Sequence, residues 1–498
     1  MSIEPTGASE VRRPPGDTPA WVASYPNPYL EGVFAPLAAE REWTPVEASG
    51  EIPRDLSGVV VRNGPNPVFA PRGRYHWFDG DGMLHAVRLE DGRAWYSSRW
   101  VRTLGYEREQ SEGRALWPGY LEAPDRSAPP GSGSDSWLKD TANTDVVFHN
   151  GHALALWYQC GLPYRVDPRS LETLGPERFG GALPRRVSAH AKVDPQTGEL
   201  LFFDYSTREP YLSYHVASAT GELVHSLPID VPSPRLPHDM AITEHYSILM
   251  DLPLFWNADL LARGAHKLEF HADLPSRFAI VPRRGGAAQV RWFEAEPTYI
   301  YHVINAWEEG EEIVMDACRV LDPLPRGRPG DGPLARMLAV LKIEARLCRW
   351  RFDLRTGTTR EERLDDRNAE FPSIDRRRLG RRSRHAYLMR IAAEEPTLLF
   401  DGIVKHDTAT GRTQELAFGP GRFGHEAPFA PRVGARDEDD GYLLPFVNDA
   451  RTDTAELWIL DARDLAAGPR ARLRLPHRIP TGFHTCWVPA DQLPPRPA

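Results

Sequence analysis

Residues 84–100 read LHAVRLEDGRAWYSSRW and carry the pattern that decides the fold. Asp91-Gly92 stands between two runs in which apolar and polar residues alternate. Alternation with a period of two is typical of a half-buried strand, and an Asp-Gly or Asn-Gly pair is the strongest local signal for a tight hairpin. Residues 146–158, VVFHNGHALALWY, repeat the arrangement around Asn150-Gly151. Both stretches therefore predict antiparallel hairpins.

The same formula recurs with longer turns along most of the chain. The turn sequences DPQTG, SATG, LRTG and TATG separate short apolar runs in residues 191–205, 212–227, 350–364 and 402–418. Hairpins repeated over hundreds of residues indicate an all-β protein, and specifically a β-propeller whose blades are small antiparallel sheets. No strict repeat is visible, which disfavours WD40 and kelch arrays. A tandem of large β-sandwiches is the alternative interpretation.

One segment departs from this pattern. Residues 333–350, PLARMLAVLKIEARLCRW, place apolar side chains at roughly helical spacing, at Leu334, Met337, Leu338, Leu341 and Ala345. We expect a helical insertion near 333–350 that packs over the propeller. A surface for a partner or a membrane is the second interpretation of this segment.

Composition limits the classes of function. The chain has 498 residues, 41% of them hydrophobic, and a net charge of -9, which gives no support for a nucleic-acid partner. The four cysteines form no C-x-x-C pair and suit a reducing compartment. With no apolar signal-peptide region and no long apolar run, we expect a cytoplasmic protein without a transmembrane segment. Residues 1–20 are rich in Pro, Gly and charge, so we expect a disordered tail there and a single β-propeller domain over residues 21–498.

Four of the 17 histidines share a sequence context. His190 in SAHAKVDP, His238 in PHDMAI, His302 in YIYHVINAW and His484 in TGFHTCWVP each lie at or beside the start of an apolar β run. They are too far apart in the chain to form a local metal motif. Their positions make sense if different blades each direct one imidazole towards a common axis. Taken alone, each would more often be a structural histidine than a ligand, so the flanking residues decide.

Those flanking residues resemble the carotenoid cleavage oxygenase family over nearly the whole chain. The matching stretches are NPYLEGVFAPL, GEIPRDLSGVVVRNGPNP, YHWFDGDGM, SAHAKVDPQTGEL, PHDMAITEHY, HVINAWEEG and LPHRIPTGFHTCWVP. The resemblance implies a seven-bladed β-propeller with a cap of helices and loops over the iron-bearing face. It also implies one Fe(II) ion per chain, held by His190, His238, His302 and His484, with O2 as co-substrate. Imidazole is a ligand that suits iron.

Other stretches are more similar to the stilbene-cleaving branch, the lignostilbene dioxygenases. These are ALWPGYLEAP, SWLKDTANTDVV, WYQCGLPYRVDP, LPLFWNADLL and PSRFAIVPRRG. In that branch a tyrosine and a lysine bind the phenol hydroxyl of the substrate, and Tyr106 and Lys139 match those positions. Phe69 in NPVF matches a phenylalanine that stacks on the substrate ring.

The branch implies cleavage of the central C=C double bond of small hydrophobic phenolic stilbenes, such as lignostilbenes or resveratrol, into two aromatic aldehydes. A phenol titrates near about 10, and an ammonium beside it would favour its ionised form. A carotenoid lacks that phenol, so Lys139 would have no such role in carotenoid cleavage. Two alternatives stay open: a carotenoid or apocarotenoid dioxygenase with the same iron site, and a non-catalytic propeller that binds partners. A homodimer is also left open.

One departure from the family concerns a carboxylate. The wider family often has a glutamate after the strand that reads ALW here, where it partners a ligand histidine. In this chain Trp157 is followed by Tyr158-Gln159. Glu370 in AEFPSI and Glu426 in GHEAPF remain candidates to accept a hydrogen bond from the other ring nitrogen of a ligand histidine. The partner of one histidine is therefore unassigned.

Overall fold

The structure is a computed structural model that describes residues 17–125, 127–134, 136–183, 185–257, 259–260, 267–325, 334–339 and 341–495. Its strands in chain order are β1 (Arg41–Pro45), β2 (Glu47–Gly50), β3 (Gly58–Pro65), β4 (Gly82–Glu90), β5 (Arg93–Trp100), β6 (Asp145–His149), β7 (His152–Leu156), β8 (Tyr164–Val166), β9 (Thr173–Pro176), β10 (Lys192–Val193), β11 (Leu200–Tyr205), β12 (Leu212–Ala217), β13 (Leu223–Ile229), β14 (Ala241–Ile242), β15 (Tyr246–Asp251), β16 (Leu254–Trp256), β17 (Leu268–Phe270), β18 (Ser276–Pro282), β19 (Arg291–Ala295), β20 (Tyr299–Glu309), β21 (Glu312–Val320), β22 (Ala345–Asp353), β23 (Thr359–Arg363), β24 (Ala369–Ser373), β25 (His385–Ile391), β26 (Phe400–Asp407), β27 (Thr413–Ala417), β28 (Arg422–Gly424), β29 (Phe429–Pro431), β30 (Gly441–Leu443), β31 (Phe446–Asp449), β32 (Thr454–Asp461), β33 (Pro469–Arg474) and β34 (Thr485–Pro489).

Helices are short by comparison with the sheets. The α-helices with described bounds are Leu104–Glu112 and Ala335–Ala339. The 3-10 helices are Ala20–Ser24, Pro28–Leu30, Gly32–Phe34, Trp77–Asp79, Phe179–Gly181, Ala287–Gln289, Arg376–Arg378, Leu465–Ala467 and Ala490–Gln492. Among the described residues no helix is long and apolar enough to cross a membrane.

The strands pair as antiparallel meanders. Four sheets have four strands each, in the orders β6-β7-β8-β9, β10-β11-β12-β13, β14-β15-β18-β19 and β20-β21-β22-β23. A fifth, β1-β5-β4-β3-β34, joins N-terminal strands to the last strand, and an eleven-stranded sheet contains the runs β24-β25-β26-β27 and β31-β32-β33-β2. The strands β16 and β17 form a separate ribbon. This mostly β, propeller-like arrangement of small antiparallel sheets confirms the all-β class predicted from the repeated hairpins.

The two hairpins that opened the sequence argument form as predicted. Asp91 and Gly92 have φ angles of 51° and 71°, and Asn150 and Gly151 have 47° and 76°. Positive φ at both central residues defines the turn whose twist matches that of the flanking strands, and only Gly, Asn and Asp adopt it readily. The flanking pairs Glu90–Arg93 and His149–His152 then set the register.

Seven strands at the edges of the sheets, or of the runs within the eleven-stranded sheet, lie around a common centre. These strands are β6, β10, β14, β20, β24, β29 and β34. Neighbouring strands in this set contact each other in the pairs β29–β34, β34–β6, β6–β10, β14–β20 and β20–β24. All but β14 contribute residues to one central cavity of about 820 Å³, and Asp239, which lies just before β14, lines it too. We call this cavity the axial channel. The fold therefore collects residues from distant parts of the chain around one axis.

The predicted helical insertion is wrong in its C-terminal part. The helix ends at Ala339, and β22 begins at Ala345 and pairs with β21 and β23. Within β22, Leu347, Trp350 and Phe352 are buried while the intervening arginines are half-buried. This period of two also runs through the quoted segment, and pairing on both sides favours the strand. Residues 326–333 and 340 lie outside the described residues.

The boundary predicted at residue 20 is also displaced. Residues 1–16 of the predicted tail lie outside the described residues. Residues 17–20 pack on the body of the protein, because the Asp17 carbonyl accepts a hydrogen bond from the Ala38 amide at 3.3 Å. The Thr18 hydroxyl accepts one from the Arg478 guanidinium at 2.6 Å. Hydrogen bonds to both residues tie this stretch to the propeller.

Candidate metal centre

The four predicted ligand histidines lie close together, and His190, His302 and His484 line the axial channel. His302 lies in β20, and the other three come just before β10, β14 and β34. Ring centroids are 4.7 Å apart for His190–His238, 5.0 Å for His190–His302 and 4.6 Å for His190–His484. They are 5.3 Å apart for His238–His302 and 4.8 Å for His302–His484. The structure thus brings together four side chains from four different sheets.

The arrangement fits a metal ion. His190, His302 and His484 each offer one ring nitrogen, and these atoms all lie within 4.8 Å of one another. Within the described residues, Nε2 of His190 and Nε2 of His302 are buried and have no hydrogen-bond partner. A buried polar atom without a partner costs about 1–3 kcal/mol, which coordination would offset. An all-imidazole donor set suits iron, zinc or copper. His238 packs against this set without belonging to it.

Two of the histidines are held by buried carboxylates. His302 Nδ1 lies 2.5 Å from Glu370 Oε2, and His484 Nδ1 lies 3.3 Å from Glu426 Oε1. Glu426 also accepts hydrogen bonds from the Thr485 amide and hydroxyl at 2.5 and 2.8 Å. A carboxylate on Nδ1 fixes the tautomer and leaves Nε2 for the metal. Both glutamates singled out in the sequence therefore lie beside a histidine predicted as a metal ligand.

The electrostatics favour neutral imidazole at three of the four positions. Burial lowers the pKa of His190, His238 and His302 well below the usual value. Burial alone would also lower the pKa of His484, but the Glu426 carboxylate beside it holds that pKa above its usual value. Neutral imidazole is the form that binds metals.

His190 is positioned through its backbone. Its φ of 66° lies in the left-handed region, which is uncommon for a residue with a side chain. Its amide donates to Asp145 Oδ2 at 2.9 Å. Phe371, with φ of 50°, has its ring 4.6 Å from that of His302 and stacks on the His484 ring at 4.8 Å with an angle of 14° between the planes. Strained backbone of this kind clusters at functional sites. Sequence reasoning missed both Asp145 and Phe371, which carry no local signal of their own.

His238 has a different environment. The Tyr301 ring lies 5.0 Å away nearly perpendicular to it, and the Tyr158 ring lies 6.3 Å away. Within the described residues no carboxylate hydrogen-bonds to the His238 ring. The neighbouring Asp239 instead pairs with Lys192 at 2.7 Å and accepts from the Val303 amide at 2.7 Å. Among the described residues a carboxylate thus hydrogen-bonds to the ring of His302 and of His484 but not to that of His190 or His238, and His238 has aromatic neighbours instead.

An apolar cavity of about 430 Å³ borders the centre on one side. We call it the apolar cavity. Its wall is mostly apolar and aromatic, with Trp77, Phe78, Tyr301, Phe371, Leu398 and Phe483 beside His238, His302 and His484. Such a wall excludes water and accommodates a hydrophobic ligand. Sequence reasoning named Tyr158, which also lines this cavity, only for the missing carboxylate, and it did not predict the aromatic wall.

A second cavity, of about 540 Å³, contains Lys139 and Phe69 and shares Phe78 with the apolar cavity. We call it the lysine cavity. Lys139 Nζ lies 2.7 Å from Asp81 Oδ1 and 2.5 Å from Glu109 Oε2. Burial would lower the pKa of Lys139, but these two carboxylates hold it above the usual value. Lys139 is therefore a charged, compensated side chain, and sequence reasoning missed both acidic partners.

Tyr106 does not join Lys139 and Phe69. It lies in the helix Leu104–Glu112, which begins at the Thr103 cap, whose hydroxyl accepts from the Tyr106 amide at 3.0 Å. The Arg102 guanidinium donates to the Tyr106 hydroxyl, and the ring packs against Trp100. Burial raises the pKa of Tyr106 to about 12. Among the described residues that line the lysine cavity, this helix contributes Glu109 and not Tyr106.

Comparison with known proteins agrees with this geometry. Residues 34–489 match the family described as retinal pigment epithelial membrane protein (RPE65), which includes the carotenoid cleavage oxygenases. The chain belongs to this family. It is 36% identical over 503 residues to the carotenoid 9,10(9',10')-cleavage dioxygenase of Crocus sativus, covering 94% of this chain and 90% of that protein.

Two other members of the family are named for phenolic or lignin-related substrates. The isoeugenol monooxygenase of Pseudomonas nitroreducens is 32% identical over 478 residues, with 93% of this chain and 98% of that protein covered. The crystal structure of Pseudomonas brassicacearum lignostilbene dioxygenase superposes with a TM-score of 0.82 at 30% identity, covering 93% of this chain and 99% of that one. The comparisons therefore establish membership of an oxygenase family whose members are named for carotenoid and for phenolic substrates.

Proposed function

We propose that this protein is a non-haem Fe(II) dioxygenase that cleaves the central C=C double bond of 4-hydroxystilbenes with O2 to give two aromatic aldehydes. The observation that carries the proposal is the pair of adjoining cavities, one apolar against the histidines and one containing Lys139, with Phe78 in the wall of both. A stilbene has the matching shape, because its alkene lies between two rings and its phenol is at one end.

Iron would be held by His190, His238, His302 and His484. When bound there, Fe(II) supplies the binding and activation of dioxygen. Four neutral imidazoles leave the full 2+ charge in place, and the carboxylate of Glu426 offsets part of it through His484. Burial raises the pKa of Glu370 to about 8, so Glu370 would offset charge through His302 once the bound cation favours its ionised form. The seven edge strands around the axis also support a seven-bladed propeller, with the short helices and loops as its cap.

The phenol end is where this chain's own residues select the substrate. The Lys139 ammonium has three N–H donors. One donates to Asp81 and one to Glu109, so the third can donate to a phenol oxygen. The adjacent carboxylates offer a place for the phenol proton, so ionisation of the phenol adds no net charge to the cavity. Phe69 lines the same cavity and would stack on the phenol ring.

Tyr106 enters the proposal less directly. Its hydroxyl accepts from Arg102 and keeps its own O–H as a donor, but the described wall of the lysine cavity does not include Tyr106, so a hydrogen bond to the phenol requires this side chain to turn towards that cavity. The names of two relatives of this chain independently favour cleavage of a phenol-conjugated alkene, because isoeugenol and lignostilbenes are both phenols conjugated to an alkene.

Carotenoid or apocarotenoid cleavage is the second candidate. It is favoured by the identity to the plant carotenoid cleavage dioxygenase and by the apolar wall beside the histidines. A polyene needs no hydrogen bond at its end, so it would leave Lys139, Asp81 and Glu109 without a part in substrate binding.

The substrate test uses the Fe(II)-loaded protein with three compounds in parallel: resveratrol, its 4'-O-methyl ether and an apocarotenoid. We expect aldehydes from resveratrol, and turnover of the ether reduced at least tenfold because it has no phenol proton at that ring. Aldehydes from the apocarotenoid alone would refute the stilbene assignment and support the second candidate.

Lys139→Met tests the role of the lysine cavity. We expect kcat/KM for resveratrol to fall at least tenfold with iron content unchanged. A matched control is Lys405→Met, since Lys405 is another buried lysine that pairs with a carboxylate, Asp439, at 2.8 Å. Thermal unfolding of both variants accounts for the carboxylates left unpaired. Equal turnover by Lys139→Met and the wild type would remove Lys139 from the mechanism.

A further inference from the structure

We propose that the axial channel is the route by which the divalent metal ion reaches the histidines, separate from the apolar cavity that receives the organic substrate. The proposal rests on the metal centre assigned above. It concerns how the site is loaded rather than what it catalyses.

The histidines divide the two spaces. His302 and His484 line both the axial channel and the apolar cavity, and His190 lines the channel. On the apolar side an approaching ion would pass Trp77, Phe78 and other aromatic side chains. Moving a hydrated dication through such a wall is costly, because its water ligands would have to be lost before any protein ligand replaces them.

The channel side offers a polar path from the surface. In the channel wall Arg376 is exposed, Lys192 and Ser373 are half-buried, and Asp145 and Asp239 are buried next to the histidines. The channel wall therefore contains exposed, half-buried and buried polar residues, and the buried ones lie beside the histidines. An ion entering this way keeps its water until it reaches the imidazole nitrogens.

The charges along the channel favour a cation at its inner end. Three carboxylates, those of Asp145, Asp239 and Glu426, lie in its wall, against the cations of Lys192 and Arg376. Lys192 is paired with Asp239 at 2.7 Å. Each carboxylate also accepts backbone amides, as Asp145 does from His190 at 2.9 Å and from Val146 at 2.7 Å.

Because their oxygens are already bonded, these carboxylates are poor competing ligands, yet they retain their negative charge. Three carboxylates against two cations leave the channel wall with an excess of negative charge, which attracts cations and raises their association rate. The retained negative charge therefore attracts a divalent cation into the channel, and the occupied carboxylate oxygens do not bind it before it reaches the histidines.

The test is to block the channel mouth reversibly. All four native cysteines are buried, so Ser373→Cys introduces one reactive thiol at the half-buried mouth. The metal-free protein is labelled with a bulky thiosulfonate, and Fe(II) uptake is followed without oxygen by rapid desalting and metal analysis. We expect uptake to slow at least tenfold, to reach the same final content, and to recover when dithiothreitol removes the adduct.

Two comparisons make the result decisive. The same adduct on Val433→Cys, at a position 72% exposed, should leave the uptake rate unchanged. Arg376→Glu should accelerate uptake several-fold at low salt, and the gain should vanish at high salt as screening shortens the range of the charge. Equal uptake by labelled and unlabelled Ser373→Cys protein would overturn the channel route alone. A wild-type protein that takes up no Fe(II) would overturn the metal centre itself, and the route with it.

Discussion

The four histidines fall into two pairs that are held in different ways. His302 and His484 each have a buried carboxylate on Nδ1, at 2.5 and 3.3 Å. His190 is fixed by a strained backbone whose amide bonds to Asp145, and His238 by the rings of Tyr301 and Tyr158. One pair is therefore oriented by charge and hydrogen bonds at the ring, and the other by its backbone or by packing.

This difference predicts that the two pairs contribute unequally to metal affinity. A carboxylate on the outer nitrogen raises the basicity of the imidazole and resists rotation of the ring, whereas aromatic neighbours restrict rotation without raising basicity. His238 is also the member that is half-buried rather than buried. We expect the carboxylate-held pair to dominate metal affinity and His238 to be the weakest ligand.

Replacement of the ligands gives the largest expected effect. His302→Ala should lower Fe(II) affinity by more than the about 100-fold that loss of an outer partner can cause, because it removes a ligand and leaves Glu370 buried without its partner. His238→Ala should lower affinity less. Metal titration with a competing chelator measures both. His406→Ala is the control, since His406 pairs with Asp365 at 3.2 Å away from the centre. Equal losses in His302→Ala and His238→Ala would break the division into two pairs.

Glu370→Gln should give the next largest effect. The 2.5 Å contact with His302 makes this carboxylate the closest outer partner, and such partners are typically worth about 10–100-fold in metal affinity. The same chelator titration measures the loss. Glu308→Gln is a matched control, because Glu308 contacts His245 at 2.9 Å on the exposed surface. An affinity unchanged in Glu370→Gln would show that the contact does not act on the metal.

Glu426→Gln should weaken binding less, by about 10-fold, because its contact with His484 is longer at 3.3 Å. Its other oxygen also accepts the Thr485 amide and hydroxyl, so this variant should lose thermal stability more clearly than Glu370→Gln. Affinity and unfolding temperature, measured on the same samples, separate the two effects. A larger affinity loss than in Glu370→Gln would reverse the order that the distances predict.

Much of this framework could be predicted from local sequence. Asp91-Gly92 and Asn150-Gly151 specify their hairpins because few residues adopt positive φ. The ligand histidines and both glutamates could be named because their flanking residues resemble a known family. Such signals lie within a few residues of the position they describe. A cytoplasmic location and a homodimer remain predictions.

Contacts between distant segments were not predictable in this way. Lys139 could be named, but nothing near it in sequence shows that Asp81 and Glu109 compensate its charge. Tyr106 matched a family position, yet its orientation is set by Arg102 and the surrounding packing. The segment from Ala345 contains both a helical and a strand period, and its pairing with β21 and β23 decided between them. Each of these outcomes depends on tertiary neighbours.

The smallest expected effect comes from giving His238 the kind of partner that His302 has. Tyr158 lies just after the strand that the wider family often follows with a glutamate, and its ring lies 6.3 Å from that of His238. Tyr158→Glu should raise Fe(II) affinity by a few-fold, up to about 10-fold, if the new carboxylate reaches the ring. Tyr158→Gln is the control of similar size without the charge. Because Tyr158 is buried and bonded to Gln159 at 2.7 Å, both variants should lose some thermal stability, so a gain in affinity confined to the glutamate would isolate the charge as its cause. Equal affinity in the two variants would mean that packing alone is sufficient to hold His238.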